Sequence, residues 1–140
     1  MNIPCRVTHP ARREYLHDAI RDVSGFAEMK GFSSHKILQI ELVLEEILVN
    51  IINHAYPGGS GNMEIECTSC TDDKLVMVIS DQGVPFNIID VRDPDVTSDL
   101  EERKVGGLGI YFIKRMADNV SYMRRGNTNI LEVSISKNIQ

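Results

Sequence analysis

Glu45 to Tyr56 reads EEILVNIINHAY and closes the longest apolar run of the chain. Its Ile, Leu and Val content is that of a core helix, yet Glu46, Asn50, Asn53 and His54 crowd into it. Buried carboxylates and amides cost free energy unless something satisfies them. Each residue of a helix advances by ~100°; with Glu46 at zero, Asn50 falls at ~40°, Asn53 at ~−20° and His54 at ~80°. The four side chains therefore form one polar stripe, while Glu41 and Glu45 point elsewhere. Such a stripe is too polar for a packing face and too compact for the broad solvent side of a helix. It is either a buried polar network that fixes helix packing or the edge of a ligand site.

Length and composition bound the answer. The chain has 140 residues, 42% hydrophobic and 25% charged, with a net charge of −5. That is the size and balance of one globular domain spanning residues 1–140. The acidic balance argues against direct binding to nucleic acid, whose phosphates want a basic face. There is no long apolar run of membrane-spanning length and no signal-peptide pattern, so no membrane partner is expected and the compartment is read as cytoplasmic. Three cysteines give no disulfide framework. Cys67 and Cys70 make a lone C-x-x-C near the end of a strand, where residues three apart face opposite ways, which suits neither a zinc site nor a disulfide.

Outward from the quoted stretch, periodicity predicts a short strand over Ile3–Val7 and a helix from Ala11 to Lys30. A second helix, capped by Ser33 or Ser34, runs to about Tyr56, where YPGGSGN ends it. MEIECTSC and LVMVIS form a hairpin, and the last residues form another around Gly126-Asn127. Between them lie a polar segment from Asn87 to Lys104, read as a mobile loop, and a helix with Ile110, Ile113 and Met116 or Ala117 inward. Two long helices precede most of the strands. That order predicts an α+β fold, with helices on one face of a mixed, mostly antiparallel sheet.

The stripe's chemistry is specific. Asn50 offers a neutral amide oxygen, a hard donor suited to Mg²⁺, which takes few protein ligands. Glu46, one turn earlier, could accept a proton. Downstream, SDQGVPF delivers Asp81 to a strand end with Gly83 two residues on. A carboxylate there can accept a hydrogen bond from an exocyclic amine, and a glycine lets a flat ring approach the backbone. D-x-G alone reads equally as a turn. Gly106, Gly107 and Gly109, with Leu108 among them, precede a helix and suit phosphate oxygens at its N-terminus. This cluster lacks the Walker ending.

Taken in order, EEILVNIINHAY, DQGVPF and GGLGIYFIKRMAD resemble the N-box, G1-box and G2-box of the GHKL ATPases, the superfamily of gyrase, histidine kinases and MutL. The Asn-x-x-x-His-Ala-Tyr ending and the D-x-G-x-P-F form resemble its branch of anti-sigma-factor serine/threonine kinases. The resemblance covers almost the whole chain. Pro85 stands where the wider D-x-G-x-G pattern has a second glycine.

The resemblance implies a two-layer α/β sandwich, the Bergerat fold, binding ATP and Mg²⁺ beneath a lid at about Asn87–Lys104. By it, Glu46 corresponds to the catalytic base, Asn50 to the Mg²⁺ ligand, Asp81 with Gly83 to the adenine-reading pair, and Gly107 and Gly109 to phosphate-contacting glycines. Lys104, Gly106 and Leu108 border the phosphates, and Asn53 and His54 lie in or beside the pocket. It further implies phosphorylation of a STAS-domain anti-anti-sigma protein, sequestration of a sigma factor, and a homodimer. The alternative is a non-catalytic, nucleotide-dependent partner-switching module. A histidine kinase is disfavoured, because the chain has no room for the helical hairpin that carries a phosphoacceptor histidine.

Overall fold

The computed structural model describes residues 5–71, 73–90 and 108–137. In chain order the elements are β1 (Cys5–Pro10), α1 (Leu16–Met29), α2 (Ser34–His54), β2 (Asn62–Thr71), β3 (Lys74–Asp81), α3 (Leu108–Met116), β4 (Asn119–Arg125) and β5 (Thr128–Ser136). Single 3₁₀ turns lie at Arg13–Tyr15 and Ile88–Asp90. The five strands form one sheet in the order β1-β2-β3-β5-β4. Every pairing among the described residues is antiparallel, so the expected mixed character is absent from them. The α+β reading holds, with α1, α2 and α3 against one face of the sheet.

Local sequence explains most boundaries. Ser33 caps α2 with extended dihedrals, its hydroxyl accepting the Lys36 N–H at 3.2 Å. α1 closes on Gly31, whose φ of 87° only glycine adopts readily. There the Phe32 N–H donates to Ala27 and the Gly31 N–H to Glu28, the paired bonds of a Schellman ending. β4 and β5 meet at the Gly126-Asn127 turn, as the pattern predicts. Two boundaries differ. β1 ends later than the expected Val7, because its ladder with β2 continues to Pro10↔Asn62; Ile3 lies outside the described residues. The helix read from Ala11 begins at Leu16, after the 3₁₀ turn.

One core joins the layers. β3 alternates half-buried and buried along its whole length, as a strand covered on one face must. Its inward Leu75, Met77 and Ile79 meet Leu131, Val133 and Ile135 of β5 beneath Ile40, Leu44, Leu48 and Ile51 of α2. Ile110 and Ile113 of α3 join them, with Met116 and Ala117 at the margin. Cys67 lies inward opposite Cys5; both are free thiols. Burial pushes the Cys67 thiol up to about 12, so it stays protonated and unreactive. The side chain of Cys70 lies outside the described residues. Among the described residues no helix is long and apolar enough to cross a membrane.

Inward alternation fails at one end of the sheet. Asp81 ends β3 on the inner face and is paired in register with Asn129 of β5. Both are buried where the pattern calls for apolar side chains. These two residues mark the site.

Candidate functional site

A pocket opens between the C-terminal half of α2 and this polar end of the sheet. Ile47, Asn50, Ile51 and His54 form its helical wall. Ile79, Asp81, Tyr122, Asn129 and Leu131 form its sheet wall, and Val84, Phe86 and Ile88 its loop side. The lining is apolar with a few converging polar groups, the usual character of a small-molecule site.

Asp81 is 8% exposed. Its Oδ1 accepts the Gly83 N–H and the Asn129 Nδ2, both at 2.9 Å. Among the described residues no donor reaches Oδ2, which is left for a ligand. The D-x-G segment is thus a side-chain-capped turn and a carboxylate at a pocket wall at once. Gly83 is buried behind Asp81 rather than lining the pocket. A Cβ there would lie 2.2 Å from the Ala55 carbonyl oxygen, so the glycine serves the approach of this loop to the end of α2. The Val84 N–H seals that approach by donating to the same oxygen at 2.9 Å.

The polar stripe divides on the structure. Asn50 and His54 line the pocket; Asn53 lies outside the lining, though it and His54 are both exposed. The Asn50 amide has no hydrogen bond among the described residues. His54 stacks on Phe86 with ring centroids 6.2 Å apart, which gives its apolar faces a partner at the pocket wall. Glu46 lies one turn before Asn50, half-buried and outside the pocket lining. Burial first, and then the neighbouring Glu45 charge, push its carboxyl above the usual range. Tyr56, the last residue of the opening stretch, receives the Gln82 N–H at 2.9 Å and donates to the Asn62 carbonyl, tying α2 to the strand ends.

Lys104, Gly106 and Gly107, and most of the segment read as a lid, lie outside the described residues. Leu108 and Gly109 open α3, so Gly109 falls in the first helical turn rather than before it. Asn129, Tyr122 and Phe86 were missed by the sequence reading. Alternation along Thr128–Ser136 carries the signal for Asn129, since it shares the inward phase of Leu131, Val133 and Ile135.

The pocket between helix layer and sheet, ending on Asp81, has a counterpart in known proteins. The family model described as "Histidine kinase-like ATPase domain" matches residues 9–135. The chain belongs to this family. Within the histidine kinase-like ATPases it is 31% identical to the serine-protein kinase RsbW of Listeria monocytogenes over 116 residues, covering 79% of this chain and 73% of that one. It is 27% identical to the Bacillus cereus protein of the same name over 126 residues, 87% and 78% of the two chains. Solved structures share the fold. A chain of the SiaB–SiaC complex from Pseudomonas aeruginosa superposes with a TM-score of 0.61 at 13% identity, over 94% of this chain and 88% of the other. The blue-light activated histidine kinase of Erythrobacter litoralis gives 0.53 at 16% identity, over 87% of this chain and 61% of its own. The GHKL resemblance read from the three boxes thus holds, within the branch of the serine-protein kinases.

Proposed function

We propose that this chain is an Mg²⁺-dependent serine/threonine protein kinase and anti-sigma factor. It would phosphorylate a STAS-domain anti-anti-sigma protein, sequester a sigma factor, and work in the cytoplasm as a homodimer. The observation that carries the kinase reading is the placement of Glu46 and Asn50. They stand one turn apart on α2, at the edge of a pocket whose far wall holds Asp81, its Oδ2 without a donor among the described residues. The name shared by its relatives supports the same reading.

The donor set fits the nucleotide and its metal. The apolar slot between Ile51, Ile79 and Leu131 suits a flat base, and Asp81 Oδ2 suits an exocyclic amine. Among the described residues no group of three or more His, Cys, Asp or Glu could hold a metal ion. Asn50 offers one neutral amide oxygen, the kind of protein ligand Mg²⁺ takes alongside phosphates and water. When bound, the ion would neutralise charge on the phosphates.

The residues then divide the work. Asp81 holds the base, and the Asn50 oxygen orients the phosphate end. The substrate hydroxyl oxygen attacks the γ-phosphorus, the bond from that phosphorus to the bridging oxygen breaks, and ADP leaves. Glu46 takes the hydroxyl proton, and its raised pKa makes it a stronger base than an exposed glutamate. Glu46→Ala should retain ATP binding by titration calorimetry while transfer from labelled ATP to the STAS protein falls by about 10²–10⁴. Undiminished transfer by that variant would remove the role of Glu46. Partner binding by the wild type with no transfer at all would instead favour the non-catalytic module.

A further inference from the structure

The geometry points to Asn129 and Tyr122 as positioning residues that set recognition of the purine amine, acting through Asp81. This rests on the nucleotide reading of the pocket and adds to it two residues from the β4–β5 hairpin. Asn129 is 6% exposed, and all of its side-chain groups are engaged. Nδ2 donates to Asp81 Oδ1 at 2.9 Å and to the Val84 carbonyl at 2.8 Å. Oδ1 accepts the Tyr122 hydroxyl and, at 3.4 Å, the Phe86 N–H.

These four partners fix the amide's orientation. Turned over, Nδ2 would face the Phe86 N–H and Oδ1 would face a carboxylate and a carbonyl. The Asp81 carboxylate, the Val84 carbonyl and the Phe86 N–H therefore decide which end of Asn129 meets Asp81, and the Tyr122 hydroxyl, donating to Oδ1, anchors the amide in that orientation. With Oδ1 of Asp81 held by two donors, the carboxylate cannot rotate, and Oδ2 is the oxygen presented to a ligand. The same amide clasps Val84 and Phe86, so the base-facing loop and its carboxylate are set by one side chain. Arg124 completes the hairpin's grip, its Nη1 donating to the Gly83 carbonyl at 2.8 Å.

A wall residue would support any base equally; a residue acting through Asp81 supports the amine. The test compares ATP with purine riboside triphosphate, which lacks the exocyclic amine, by calorimetry of the full chain in excess Mg²⁺. Wild type should prefer ATP. Asn129→Ala should weaken ATP about tenfold, the scale of one charge-assisted hydrogen bond, and move the analogue less than twofold. Tyr122→Phe removes only the hydroxyl, and should lower the ATP-to-analogue ratio in the same sense by about threefold. It carries the test should Asn129→Ala not fold. Equal losses for both ligands in either folded variant, or no loss, overturn the proposal. Wild type that binds both equally overturns it by removing amine reading at Asp81. Wild type that binds neither fails earlier, at the nucleotide site itself.

Discussion

At Glu46, burial and a neighbouring like charge act in the same direction. Both raise its carboxyl pKa, so the ionised form is penalised in the fold relative to the unfolded chain. Between the ordinary carboxylate pKa and the raised one the native state binds more protons. The stability contribution of this group is therefore full below the unfolded pKa and is lost as pH rises through the folded value. Glu46→Gln should accordingly unfold at a higher temperature than wild type at pH 8, with the difference closing towards pH 4. Calorimetric melts of the two proteins across that range check it. A gap that widens on acidification would place the cause elsewhere than desolvation. A residue kept at a cost to stability, beside a pocket, is what a proton acceptor requires.

At the scale of elements, the decisive contact is between the end of α2 and the loop after β3. The Ala55 carbonyl receives the Val84 N–H, and the backbone of Gly83 lies against it without room for a side chain. Gly83→Ala must push α2 and the loop apart, displacing the Asp81 turn that the Gly83 N–H closes. Overpacking of this kind costs about 1–3 kcal/mol. Denaturant melts should register that loss, accompanied by weakened ATP binding. A variant of wild-type stability would show that the loop relaxes freely. The helix periods, the Ser33 cap, the Gly31 ending and the Gly126 turn were legible because each depends on neighbours a few residues apart. The end of β1 was not, since pairing with Asn62 on another strand carries it to Pro10.

For the whole molecule, the pocket uses α2, the ends of β3 and β5, β4, and the loop at Val84–Ile88, so its occupant should brace the fold globally. Mg-ATP at a hundred times its Kd should add about 2.7 kcal/mol, a rise of roughly 10 °C in Tm for a chain of this size. Differential scanning fluorimetry with and without Mg²⁺ measures it; no shift with either would leave the pocket without a nucleotide.

Asp81 and the polar stripe were legible in the chain because polar residues in an apolar pattern stand out locally. By itself the sequence determined the helical stripe of Glu46 and Asn50, the D-x-G turn, the glycine run before α3 and the family they spell. Only the tertiary structure separated Asn53 from His54: both are exposed, but only His54 stacks on Phe86 and lines the pocket. Only it joined Asn129 to Asp81, because the pairing of Asp81 with a residue 48 positions away is a property of strand register. Register follows from burying one face of five strands together, and no local window of the chain contains that condition.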